Sequence, residues 1–341
     1  MNTGINEDIS EDMLLKMAAG MEYRPLTAED AMRLKPFYSI RPNKSCDAAP
    51  LCQYIYRYFY RVKFCEFEDA LILMFCSDDG EIYGFLPYCR PEKVAFYFKL
   101  QEIYFNKVLK MPFAITSADE EGVELLKEAG ALDGYDIEEI EDAKDYLYYA
   151  ESLRTLAGRK YSKKRNHINK FNQIYDGRWE YRKLTYEDRC EVLAFLRLWM
   201  DKKVSMGESE GVNESGDEFD PMVELEAEFK GIQDVVNDKR LYDHIRIGGI
   251  FIDGRLEAFS MGDYNEAEKL AIIDVEKANE EIPGLYQVIN QQFALNEYPE
   301  AELINREDDV GIEGLRKSKM SYYPSGFERK YLIRQKDHRP C

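Results

Sequence analysis

The chain has 341 residues, 45% of them hydrophobic and 33% charged, with a net charge of −19. That length suits two domains with their own cores, and the composition is that of a folded protein. The negative balance repels nucleic acid and anionic lipid except where a local basic patch receives them. The longest apolar run, residues 70–76, is far shorter than the roughly 20 residues of a membrane-spanning helix. The acidic start lacks a signal peptide's basic and apolar regions, which predicts a cytoplasmic protein.

Taken in chain order, Tyr23-Arg24-Pro25-Leu26-Thr27-Ala28-Glu29-Asp30 predicts a short strand and then a helix, because Thr27 with Asp30 three residues on makes a capping-box-like start. Residues 71–75 and 82–86 flank Asp79-Gly80, a strong hairpin signal. The chain then passes Pro91 into a helix over residues 94–109, and Ile115, Asp119, Gly122, Val123, Glu124 and Leu126 mark another strand and helix. Residues 159–170 pack six Lys/Arg and His167 into twelve positions. On a helix from Lys163, Ile168, Phe171 and Tyr175 share one face, while Lys163, Asn166, His167 and Lys170 lie on another.

The landmarks then return in the same order. Tyr181-Arg182-Lys183-Leu184-Thr185-Tyr186-Glu187-Asp188 echoes residues 23–30; Asp253-Gly254 echoes Asp79-Gly80; Ile304, Asp308, Gly311, Ile312, Glu313 and Leu315 echo the third set. Such a series predicts a duplication. In the second copy, helices are expected over residues 186–202, 221–236, 283–296 and 311–318, and strands over 269–275, 302–305 and 327–333. The Ser/Gly-rich stretch 205–216 reads as a mobile loop. The predicted plan is a domain over 1–155, a basic connecting helix over 156–177, and a domain over 178–341. Seven cysteines without a C-x-x-C pair, and three histidines, predict neither a zinc site nor a disulfide framework.

The order β-α-α-β-β-β-α-β-α-β of the second copy resembles the GNAT (N-acetyltransferase-like) fold. The expected class is therefore α/β (α+β): two tandem GNAT-like domains, mixed sheets flanked by helices, the first copy degenerate because it leaves no room for a strand equivalent to 269–275. Three strings resemble a closer family: residues 158–171 (Gly-Arg-Lys-Tyr-Ser-Lys-Lys-Arg-Asn-His-Ile-Asn-Lys-Phe), Glu276-Lys277-Ala278, and Ile304-Asn305-Arg306-Glu307-Asp308-Asp309 with residues 314–324. They are similar to uncharacterised bacterial proteins related to the C-terminal domain of phosphatidylglycerol lysyltransferase. The resemblance implies acyl or aminoacyl transfer to an amine or hydroxyl.

Candidate site residues follow from position. In a GNAT enzyme the helix after the fourth strand binds coenzyme A pyrophosphate on its first N–H groups. Here that place holds Gly284 and Tyr286, with Glu280 and Glu281 beside it opposing a pyrophosphate. Asn305, Arg306, Glu307 and Asp308 follow a strand at the end of the sheet where open α/β folds build sites, with Arg316 and Lys319 close behind. Glu276 and Lys277 end the strand lining the expected cleft, and Tyr322 stands where a GNAT tyrosine often acts as general acid. The expected catalytic groups are Glu276, Glu307, Asp308 and Tyr322, and Lys277, Gly284, Tyr286, Asn305, Arg306, Arg316 and Lys319 are expected to bind substrate. Lys163, Lys164, Arg165, Asn166 and His167 form the expected phosphate or tRNA contact. No cofactor is fixed by these residues. The donor is expected to be aminoacyl-tRNA, and the acceptor a small molecule, lipid head-group or peptide. The alternatives are a coenzyme A or acetyl-coenzyme A-dependent N-acetyltransferase, and a non-catalytic small-molecule or tRNA-binding protein.

Overall fold

The computed structural model describes residues 10–77, 80–205, 211–212, 218–219 and 221–336. The predicted loop 205–216 therefore lies outside the described residues, apart from Ser205 and the short strand at Gly211–Val212. Strands in chain order are β1 Arg24–Pro25, β2 Lys63–Phe67, β3 Ala70–Cys76, β4 Ile82–Gly84, β5 Ala114–Asp119, β6 Tyr135–Glu139, β7 Asp145–Tyr149, β8 Trp179–Lys183, β9 Gly211–Val212, β10 Glu218–Phe219, β11 Arg246–Ile252, β12 Arg255–Asn265, β13 Leu270–Ala278, β14 Leu303–Asn305, β15 Gly326–Glu328 and β16 Lys330–Gln335. The helices are α1 Glu11–Ala19, α2 Ala28–Arg33, α3 Lys35–Tyr38, α4 Pro50–Ile55, α5 Val94–Ile103, α6 Glu120–Glu128, α7 Ala150–Thr155, α8 Ser162–Ile174, α9 Arg189–Ser205, α10 Pro221–Asn237, α11 Leu285–Glu297 and α12 Glu313–Met320.

The chain divides into two compact units, Met1–Lys144 with Glu328–Cys341, and Asp145–Phe327. Each is built on a seven-stranded mixed sheet, ordered β1-β2-β3-β4-β5-β16-β6 in the first and, read from its far edge, β8-β11-β12-β13-β14-β7-β15 in the second. The two orders correspond place by place, which is the duplication seen in three dimensions. Both copies also keep the capping box: Thr27 with Asp30 before α2, and Thr185 with Asp188 before α9. The sixth place in each sheet is filled from the other end of the duplication, by β16 in the first and β7 in the second.

That exchange moves the boundaries away from the expected 155, 177 and 178. The segment expected as one strand over 327–333 is two strands in different sheets, and the basic helix α8 packs inside the second unit through Ile168 and Phe171. The first copy also keeps the strand expected to be missing. The hairpin ending at Gly80 joins β3 to β4, with Met74 opposite Gly84 and Cys76 opposite Ile82, whereas Asp253-Gly254 joins β11 to β12. Asp-Gly suits any tight turn, so the two motifs matched one hairpin out of step. β4, only three residues long, is the counterpart of the nine-residue β13.

The core of the first unit is built on the edge-to-face rings of Phe98, Phe105, Phe113 and Tyr135. That of the second gathers Tyr146, Tyr148, Tyr161, Phe171, Phe293 and Tyr298, all but inaccessible to water.

Candidate functional site

In the second unit β13 and β14 run parallel but pair over only three positions, Leu270 with Leu303 to Ile272 with Asn305. Beyond them β13 continues along β12 as far as Ala278 opposite Ala258, while the chain after β14 stays with β7 through Arg306 N to Tyr146 O and Tyr146 N to Glu307 O, each 3.1 Å. The two strands therefore part, and side chains at their ends face a split in the sheet.

Glu276 and Arg306 bridge that split. Arg306 Nη2 donates to Glu276 Oε1 at 2.9 Å, and each side chain is 12% exposed. The second carboxylate oxygen accepts from Asn290 Nδ2 of α11 at 3.0 Å. Arg306 lies 5.0 Å from the Tyr322 ring and 5.9 Å from that of Tyr148. Lys164 of α8 sits 3.8 Å over the same Tyr322 ring. Burial and then the Arg306 charge, opposed by Glu276, bring the Lys164 ammonium down to about 8. Burial holds the Tyr322 proton on well above a phenol's ordinary range, against the nearby Arg306 charge.

Two buried groups of this cluster have a polar atom without a hydrogen-bond partner among the described residues: Arg306 Nη1 and Asn290 Oδ1. An unpaired buried donor or acceptor costs roughly 1–3 kcal/mol, so the cluster carries an unmet hydrogen-bonding capacity at both atoms.

Two further acids lie deeper. Both oxygens of Asp274, two residues before Glu276 on β13, are buried without partners, as is Glu307 Oε1. Burial first, then the charges of Glu307 and Asp263, raise the Asp274 carboxyl well above the ordinary range. Burial likewise raises Glu307, which Asp308 pushes further and Lys319 opposes. Glu307 also stands at φ +56°, a left-handed conformation that costs a non-glycine residue about 1 kcal/mol or more.

Other expected site residues hold the loop rather than face the split. Asn305 Nδ2 donates to Asp145 at 2.8 Å, and Asn305 Oδ1 accepts from Glu307 N at 2.7 Å. Asp308 Oδ1 accepts from Val310 N at 3.2 Å. Arg316 engages both oxygens of buried Asp309, each at 3.1 Å, and the buried ammonium of Lys319 donates to Arg306 O at 2.6 Å and to Asp308 O. Neither acid caps α12, whose N-cap is Ile312.

Lys277, next along β13, points to the other face, pairing with Glu228 at 2.8 Å and lying 4.3 Å from the Trp199 ring. Tyr286, whose proton is likewise held by burial, contacts Trp199 and the Ala278 backbone. Gly284 is the N-cap of α11 at φ +89°, and a Cβ there would stand 2.6 Å from His167 O. Its close approach is to the backbone of α8. On α8 itself, Lys163, Asn166 and His167 are exposed, whereas Arg165 is tied to Leu156 O and Gly158 O.

The structure thus brings Glu276, Arg306, Tyr322 and Lys164 together and sets Lys277, Arg316 and Arg165 apart from them. Sequence reasoning missed Asp274, Asn290 and Tyr148. Asp274 did leave a signal, an acid inside the otherwise apolar run Leu270-Ala271-Ile272-Ile273 to Val275.

The model of the family described as phosphatidylglycerol lysyltransferase, C-terminal, matches residues 48–334. A conserved protein of unknown function from Bacteroides thetaiotaomicron is similar in structure, with a TM-score of 0.78 and 24% identity over 93% of this chain and 100% of that one. The C-terminal domain of a putative lysylphosphatidylglycerol synthetase from Agrobacterium fabrum shares the fold at a TM-score of 0.58, with 16% identity over 91% of this chain and 92% of its own. An uncharacterized protein from Mycoplasmoides gallisepticum is 25% identical over 201 residues, 59% of this chain and 59% of that relative's length. The fold is a tandem GNAT-like one. Among the described residues no helix is long and apolar enough to cross a membrane.

Proposed function

Because the chain belongs to the family of phosphatidylglycerol lysyltransferase C-terminal domains, we propose that it is an acyltransferase whose second unit moves an aminoacyl group from tRNA to an amine or hydroxyl. The observation that carries the reading is the Glu276–Arg306 bridge across the split, with its unpaired donor and acceptor, Arg306 Nη1 and Asn290 Oδ1.

Acyl transfer needs a donor aimed at the carbonyl oxygen that becomes an oxyanion. Arg306 Nη1 supplies that N–H, with Lys164 adding positive charge beside it. The acceptor's N–H or O–H is taken by Glu307, whose buried oxygen has a raised affinity for a proton. Its nucleophilic atom attacks the ester carbon, the bond to the donor's ribose oxygen breaks, and that oxygen takes a proton from Tyr322. Glu276 fixes Arg306, and Asn290 fixes Glu276. The exposed cations Lys163 and Lys170 suit the phosphates of an acceptor stem. A lipid head-group with a free hydroxyl fits the acceptor side.

The coenzyme A alternative has less support, since the approach to Gly284 is filled by His167 O. Binding and turnover separate the readings. A donor at a hundred times its dissociation constant stabilises by about 2.7 kcal/mol, which a thermal shift detects. Aminoacyl-tRNA is expected to bind with a salt dependence that weakens in Lys163→Ala/Lys170→Ala, and Arg306→Ala is expected to abolish release of the aminoacyl group to an acceptor while tRNA still binds. Turnover with acetyl-coenzyme A would replace the tRNA reading, and binding without turnover of any donor would leave a binding protein.

A further inference from the structure

The first unit holds a cluster of two cysteines and a lysine. Cys46 opens the short turn Cys46–Ala48, where Ser45 Oγ accepts from Asp47 N at 3.1 Å. Lys330 of β16 reaches this turn, its Nζ 3.2 Å from Cys46 Sγ and 2.9 Å from Asp47 Oδ2. Lys330 is 2% exposed and Cys46 4%. Cys52 of α4, also buried, places its Sγ within 4.8 Å of Cys46 Sγ, and neither is in a disulfide.

A buried ammonium at hydrogen-bonding distance favours the thiolate of its neighbour, and the thiolate is the nucleophile in thiol chemistry. Two further buried cysteines of this unit are held as thiols: burial pushes the Cys65 thiol up to about 11 and the Cys89 thiol up to about 12. Cys46 differs from them in an ammonium at hydrogen-bonding distance, and in having a second thiol close enough to react. Formation of a disulfide needs the sulfurs to close to about 2.05 Å, and the two cysteines stand six residues apart in the chain.

From this juxtaposition we propose that Cys46 is a site of reversible oxidation by hydroperoxides, with Cys52 as the thiol that converts the oxidised form into an intramolecular disulfide. The Cys46 thiolate attacks the terminal peroxide oxygen, the S–O bond forms, the O–O bond breaks, and the departing hydroxide or alkoxide takes a proton from Lys330. The sulfur is oxidised to a sulfenic acid and the peroxide reduced. Cys52 sulfur then attacks Cys46 Sγ, the S–S bond forms, the S–O bond breaks, and hydroxide leaves as water with the Cys52 proton. The sum is two thiols and one hydroperoxide giving a disulfide, an alcohol or water, and a second water. Lys330 regains its proton from solvent, and a dithiol reduces the disulfide back to two thiols by exchange, becoming a disulfide itself.

The test is a hydrogen peroxide titration of the full chain, followed by alkylation, trypsin and mass spectrometry. Cleavage after Lys44 and Arg57 places both thiols in one peptide, residues 45–57. That peptide is expected to lose two hydrogens and both alkylation sites, with dithiothreitol restoring them, at peroxide concentrations that leave Cys65 and Cys89 fully alkylated. Cys52→Ser is expected to stop at a sulfenic acid on Cys46 that dimedone captures, and Lys330→Met to slow the oxidation several-fold. Oxidation of Cys65 or Cys89 as readily as Cys46 would overturn the proposal, as would an oxygen-bridged link between Cys46 and Lys330 in place of the disulfide. Should Lys330→Met not fold, the Cys52→Ser result decides by itself.

Discussion

Lys164 enters the split of the second unit as a cation beside a cation, and the carboxylate whose charge acts on it, Glu276, is already held by Arg306 and Asn290. Its proton affinity falls to about 8 in the folded protein, through burial first and then Arg306, against about 10.4 in an unfolded chain. Between those values the unfolded chain binds more protons, so the folded state gains stability as pH rises from about 8 towards 10, and the protonated Lys164 costs stability below that window. Lys164→Met is accordingly expected to raise the melting temperature by a few degrees at pH 7, with the gain shrinking by pH 10. Thermal melts of both proteins across that range check it, and a lower melting temperature of the variant at pH 7 would show that Lys164 is held by favourable contacts alone. A residue of this kind was half legible: the run of bases around it marks α8 as cationic, but only the tertiary packing of Ile168 and Phe171 decides which base turns inward. Glu276 and Arg306 were legible because both sit at strand ends. Asp274 was not placed, since it lies inside a strand whose other residues read as core.

At the scale of elements, the contact of α8 with the start of α11 decides what Gly284 is for. A glycine at a helix start can admit a phosphate or a neighbouring backbone, and sequence does not distinguish the two. Here φ is +89°, and an added Cβ would meet His167 O at 2.6 Å and Phe171 Cβ at 3.3 Å. Neither the helix carbonyl nor the buried ring can give way cheaply. Gly284→Ala is expected to lose about 2–4 kcal/mol, the left-handed strain adding to the clash, whereas Gly314→Ala, with open space around it in α12, should change stability by less than about 1 kcal/mol. Denaturant midpoints of the two variants measure this. If Gly284→Ala kept full stability and lost only donor binding, the glycine would belong to a phosphate cradle instead. The helices themselves were readable to within a few residues from caps and 3.6-residue periodicity, because those signals are local. The paired Asp-Gly turns misled, because a turn motif states that a hairpin exists and not which one it is.

Across the whole molecule the least legible feature is the exchange of sixth strands, since pairing between distant segments leaves no local pattern. β16 forms the ladder between β5 and β6, with Ile333 opposite both Ile115 and Ile137. Ile333 is fully buried, and Lys330 is paired with Asp47 beneath it. Removing residues 328–341 would leave two strands of the first sheet without their shared neighbour and a row of buried backbone groups unpaired, each costing about 1–3 kcal/mol. A domain stabilised by roughly 5–15 kcal/mol does not survive that loss. The second unit keeps all seven strands of its sheet except the last residue of β15, so the truncated chain is expected to lose the amide protection of β5 and β6 while β11 to β14 stay protected against hydrogen exchange. Adding a peptide of residues 328–341 should restore protection to β5 and β6. Unchanged protection of those two strands after truncation would mean that the first unit closes its sheet without β16, and that the exchange is an ornament of the duplication rather than a condition for folding.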